Sequence, residues 1–94
     1  RGNLVILSDW VNQEPTISWV RPNSGTTALL KYDFDIPSYD FCIKLLDETG
    51  VLFTPGSALD MEGYLRIGYA NNPGILRSGL KLISSFLANL KNSQ

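Results

Sequence analysis

Residues 51–70 read Val51-Leu52-Phe53-Thr54-Pro55-Gly56-Ser57-Ala58-Leu59-Asp60-Met61-Glu62-Gly63-Tyr64-Leu65-Arg66-Ile67-Gly68-Tyr69-Ala70. The apolar run 51–53 predicts a short strand, Pro55-Gly56 a tight turn, 57–63 a polar exposed loop carrying Asp60 and Glu62, and 64–70 a second strand. Strand geometry puts Tyr64, Arg66, Gly68 and Ala70 on one face and Leu65, Ile67 and Tyr69 on the other. Arg66 is then a permanent charge between two apolar neighbours. It is costly there unless it faces solvent, a partner or a ligand. Gly68 and Ala70 leave room beside the guanidinium for a small anion, and the alternative is an edge-strand arginine paired with Asp60 or Glu62.

The flanking segments supply the rest of a small domain. Upstream, Leu4, Leu7, Trp10 and Val11 recur at helical spacing over 3–13, and Pro15 forbids continuation. Ile17 and Trp19 alternate with Ser18 in a strand over 16–21. Pro22-Asn23-Ser24-Gly25 is a turn, and 26–34 returns as a strand with Ala28, Leu30, Tyr32 and Phe34 on one side, completing a hairpin. Ser38 is the expected N-cap of a helix with Asp40 in its first turn and Phe41, Leu45 and Leu46 as its apolar stripe, ended by Gly50. After the central stretch, Asn72 caps a helix with Pro73 at its first position and Leu76, Leu80, Ile83, Leu87 and Leu90 on one face. Lys91 near its end suits the helix dipole. The order α-β-β-α-β-β-α predicts an α+β two-layer sandwich: a small mixed or antiparallel sheet of about four strands with helices mainly on one face.

Composition narrows the function. The 94 residues, with 8 basic and 9 acidic side chains, suit one domain (1–94) and give no charge excess to attract nucleic acid or an acidic membrane surface. The single cysteine, Cys42, cannot close an internal disulfide, and with no membrane-length apolar run the expectation is a soluble cytoplasmic protein. The chain opens at Arg1 with a helical pattern almost at once, which reads as a segment of a longer protein, although removal of a tag would give the same start. Histidine is absent, which removes imidazole acid–base chemistry, Ser–His and Cys–His nucleophile pairs and conventional zinc sites. Asp33 with Asp35, and Asp60 with Glu62, lack calcium-loop spacing and read as solvated carboxylates. The glycines are dispersed as turn and cap residues, so no phosphate loop is present. What remains is recognition, with Arg66 as its centre.

The segment Gly50 through Ser57, the short polar loop, and Leu65-Arg66-Ile67-Gly68-Tyr69-Ala70 resemble the C-terminal hallmark of the class I/II, fold type I pyridoxal-phosphate-dependent aminotransferases. The turn Pro22-Asn23-Ser24-Gly25-Thr26-Thr27 resembles the family's Pro-x-Gly-Gly hairpin, and the helix from Ser38 and the terminal amphipathic helix follow in the family's order. The likeness covers nearly the whole chain. It departs at Leu59, where the family usually has an aromatic residue, and at Ser24, where it has a first glycine; both bear on substrate specificity.

The resemblance implies that the chain is the small C-terminal domain of such an enzyme, and that Arg66 grips the α-carboxylate of an amino-acid or 2-oxo-acid substrate. It also implies that pyridoxal phosphate is held by a large domain of the same parent chain, itself a homodimer. Lys31, Lys44, Lys81 and Lys91 do not stand in the family's Ser-x-Ser-Lys setting, so no cofactor and no transamination are expected of this segment alone. A carbon–sulfur lyase of the same fold, or an aminotransferase-like ligand sensor in a transcription regulator, would use Arg66 in the same way. An unrelated α+β interaction domain with Arg66 on its surface is the third reading.

Overall fold

The computed structural model describes residues 2–22 and 25–93. Three helices, α1 (Gly2–Gln13), α2 (Ser38–Thr49) and α3 (Pro73–Asn92), join four strands, β1 (Ile17–Trp19), β2 (Thr27–Tyr32), β3 (Thr54–Pro55) and β4 (Tyr64–Gly68), with a 3-10 turn over Gly56–Leu59. The sheet runs β1-β2-β4-β3 and every pairing is antiparallel. The α+β order expected from the sequence is the order observed.

Alternation sets the layers. Ile17, Ala28, Leu30, Tyr32, Leu65 and Ile67 are buried on one side of the sheet, against Leu7, Trp10 and Val11 of α1, Phe41 and Leu45 of α2, and the leucine stripe of α3. A one-residue slip of any strand would reverse this, so burial on one face fixes the register. Phe41 lies at the centre, stacked on Tyr32 with ring centroids 4.6 Å apart and meeting Phe86 edge-on at 5.5 Å. The opposite face carries the exposed Ser18, Lys31 and Arg66 and the half-buried Leu29 and Tyr64.

Polar links tie the helices to this frame. Trp10 Nε1 donates to Ser84 Oγ at 2.7 Å, which donates in turn to Glu14 Oε2 at 2.7 Å, joining α1 to α3. Asn3 Nδ2 donates to the carbonyls of Tyr69 (2.8 Å) and Asn71 and fastens the start of α1 beneath the end of β4. The Asn72 side chain accepts from Gly74 N–H at 2.8 Å, so this cap forms as expected. Gly50 closes α2 in the left-handed region (φ 77°), its N–H bonded to Leu46 O.

Four expectations are corrected. The strand drawn at 51–53 lies at Thr54–Pro55 instead, because β4 pairs Arg66 with Thr54 and Leu65 with Pro55; Phe53 is buried by packing rather than pairing. Ser38 does not cap α2. Pro37 occupies the N-cap, and Ser38 is fully buried with its side chain turned elsewhere. The apolar stripe of α2 uses Cys42, not Leu46, which is 39% exposed. Segment 57–63 is not a free loop, since it begins as a 3-10 turn and is pinned by Glu62. Of the first hairpin's turn, Asn23 and Ser24 lie outside the described residues.

Candidate functional site

β4 is an interior strand, flanked by β2 and β3, so the edge-strand reading of Arg66 does not hold. The alternation of Leu65 and Ile67 into the core turns Arg66 outward, opposite Leu29 on β2 and Thr54 on β3. Its side chain borders an open cavity of about 550 Å³ whose other walls are Val20, Pro22, Thr27, Ala28, Leu29, Leu59, Met61 and Tyr64. Among the described residues Arg66 makes no salt bridge; the ion pair there is Lys44–Glu48, 2.9 Å apart on the exposed side of α2. Neither Asp60 nor Glu62 engages it. A planar fork of donors therefore meets a largely apolar hollow, an arrangement that can take a carboxylate in two-point fashion and pack the apolar part of the same molecule beside it.

The loop forming one wall of that cavity is held by a second cluster. Glu62 Oε2 accepts from Ser38 N–H at 2.7 Å and from Gly63 N–H at 3.0 Å, and Oε1 accepts from Ser38 Oγ at 3.1 Å. Ser38 Oγ also accepts from Ser57 N–H at 2.9 Å. The Tyr32 hydroxyl donates to the Ile36 carbonyl, with Glu62 Oε2 at 3.4 Å. The Ser38 backbone N–H, ahead of the other donors, holds the Glu62 carboxyl below its usual range. Burial, then the Glu62 charge, pushes the Tyr32 phenol up to about 12, and the same two causes push the Cys42 thiol up to about 11.

This cluster was not legible in the sequence. Ser38 and Glu62 are 24 residues apart, and each had an adequate local explanation, as helix cap and as solvated carboxylate. The Pro-Gly turn was the available signal. A Cβ on Gly56 would lie 1.9 Å from Met61 O and 2.5 Å from Tyr64 O, so the loop folds back over that glycine and must return its polar groups inward.

The remaining candidate groups lie elsewhere. Lys31 is exposed on the open sheet face, Lys81 borders a groove between α1 and α3, and Lys91 is exposed in the last turn of α3; none of the four lysines lines the Arg66 cavity. No group of three or more potential metal ligands occurs among the described residues. No helix among them is long and apolar enough to cross a membrane.

The sheet order, the Pro-Gly turn and an outward arginine on an interior strand define a class of fold with close counterparts among solved structures. A pyridoxal-phosphate-dependent aminotransferase from Streptococcus suis 89-1591 superposes with a TM-score of 0.91 at 41% identity, covering 94% of this chain and 24% of that one. Probable aminotransferase TAT2 of Arabidopsis thaliana is 30% identical over 87 residues, 86% of this chain and 21% of its own. Nicotianamine aminotransferase A of Hordeum vulgare is 47% identical over 47 residues, 50% of this chain and 10% of its own. No protein-family model matches the chain. Over its described fold the chain belongs with the fold type I pyridoxal-phosphate-dependent aminotransferases. It spans about a tenth to a quarter of the length of these relatives.

Proposed function

We propose that the chain is the small C-terminal domain of a pyridoxal-phosphate-dependent aminotransferase, and that Arg66 grips the α-carboxylate of its amino-acid or 2-oxo-acid substrate. The observation that carries this reading is the Arg66 guanidinium, which makes no salt bridge among the described residues and lines a largely apolar cavity. A bidentate pair orients the carboxylate and leaves the α-amine free. Leu29, Leu59 and Met61 keep water from the flank of the bound molecule, which strengthens the ion pair.

The cofactor, where bound, supplies the electron sink that lets the bond at the substrate's α-carbon break. The lysines of this chain do not fit the task of holding it. Lys44 lies on the exposed side of α2 beside Glu48, and none of the four lies at the Arg66 cavity. In this reading a large domain of the parent chain supplies the cofactor lysine and the phosphate-binding groups, the parent is a cytoplasmic homodimer, and the 94-residue chain alone does not transaminate.

The test is Arg66→Ala in the whole protein, read as affinity for the amino acid at constant cofactor content. Weakened affinity with full cofactor supports the reading, and unchanged affinity removes it.

A further inference from the structure

Two features of the cavity have different origins. Arg66 comes from a strand locked by the sheet, whereas Leu59 and Met61 come from a segment fixed by its own polar contacts. Those contacts converge on one carboxylate. Glu62 binds the backbone N–H and hydroxyl of Ser38 (2.7 and 3.1 Å), and the same hydroxyl receives the N–H of Ser57 (2.9 Å). Ser38 is itself wholly buried at the first turn of α2, so the segment is clamped at both ends to a rigid element of the core. Between the two clamped points lie Leu59 and Met61, which face the cavity. Main-chain bonds from Met61 N–H to Gly56 O (2.8 Å) and from Tyr64 N–H to Met61 O (3.2 Å) tie the stretch to itself between those points.

We propose that Glu62 is a positioning residue, which through its clamp on Ser38 sets the distance of Leu59 and Met61 from Arg66 and so selects among substrate side chains. The inference rests on the reading of Arg66 as the carboxylate anchor. The anchor takes the group common to all amino acids; the clamped wall meets the group that differs. Releasing the clamp widens or collapses the wall while leaving the anchor in place.

Met61 is the only methionine of the chain, so a ¹³C label on its methyl group reports on the wall through a single resonance. In the 94-residue chain, Glu62→Ala is expected to shift or broaden that resonance. Glu62→Gln, which keeps an acceptor for Ser38 N–H, is expected to leave it near the parent position. In the whole protein, Glu62→Ala is expected to change the ratio of kcat/KM between a large apolar and a small amino acid by about tenfold, roughly the discrimination an apolar pocket supplies. Glu62→Gln should restore most of that ratio, and Arg66→Ala should depress both substrates together. If Glu62→Ala leaves the Met61 methyl unmoved, or moves it without altering the ratio, the positioning role is overturned. If Arg66→Ala leaves both KM values unchanged, the anchor reading fails on its own, and the Met61 resonance still decides the clamp. Should Glu62→Ala not fold, Ser38→Ala, which removes the hydroxyl bridge while keeping the backbone donor, gives the same two readouts.

Discussion

Glu62 and Ser38 are joined twice, through the backbone N–H at 2.7 Å and the hydroxyl at 3.1 Å, and this pair is the polar hinge on which the loop beside Arg66 hangs. Because the contacts favour the charged carboxylate, its folded-state pKa lies below the unfolded one. Its contribution to stability is therefore complete above the unfolded pKa and disappears as pH falls through the folded value. Tyr32 from β2 and Cys42 from α2 also face it, both neutral in this range, and Asp35 borders the same surface hollow. Urea midpoints measured from about pH 7 down to about pH 3 should fall on the acid side, and Glu62→Gln should flatten that fall. An identical acid limb in the variant would show that the clamp carries no linkage.

The alkaline side has the opposite sign. Tyr32 is raised from 10.0 to about 12, and Cys42 from 9.0 to about 11, so both stabilise the fold as neutral groups. That contribution is full below the unfolded values and is lost as pH rises toward the folded ones. Stability should decline above about pH 9, and Tyr32→Phe should remove part of the decline. Cys42 should react with iodoacetamide far more slowly than a free thiol at about pH 8, since the thiolate is the nucleophile. Alkylation at the rate of a free thiol would contradict its burial.

Gly56 and Gly79 make a matched pair of alanine substitutions. A Cβ at Gly56 collides with the carbonyls of Met61 and Tyr64, both backbone atoms that cannot swing away, whereas one at Gly79 on α3 meets nothing within 4 Å. Gly56→Ala should cost about 3 kcal/mol and displace the loop. Gly79→Ala should add about 0.5–1 kcal/mol by favouring the helix. Denaturant midpoints that move in the same direction for both would refute this account of the turn.

Much of the architecture was legible because local and global signals agree. The α3 stripe, the Asn72 cap and the Leu65–Arg66–Ile67 alternation each follow from periodicities of one element. The misplacements share a different cause. Val51 and Phe53 are apolar because they pack on the core, while the residues that pair with β4 are the less strand-like Thr54 and Pro55, chosen by register. Ser38 satisfies the rule for an N-cap, yet its hydroxyl is worth more to Ser57 and Glu62, partners that only the folded chain brings near. The position of Arg66 on its face could be read from alternation. That β4 is interior, and that among the described residues the guanidinium meets no carboxylate, depended on strand order and on Glu62 being occupied elsewhere.

The most direct test of the central claim is the steady-state kinetics of Arg66→Ala in the whole protein with its cofactor content verified. Removing one partner of a hydrogen-bonded charge pair costs about 2–5 kcal/mol, so kcat/KM for the amino acid should fall by roughly thirtyfold or more. Arg66→Lys, which keeps the charge but not the two-point fork, should fall between the two. A kcat/KM within about twofold of the parent for Arg66→Ala, at full cofactor occupancy, would contradict the assignment of Arg66 as the carboxylate anchor.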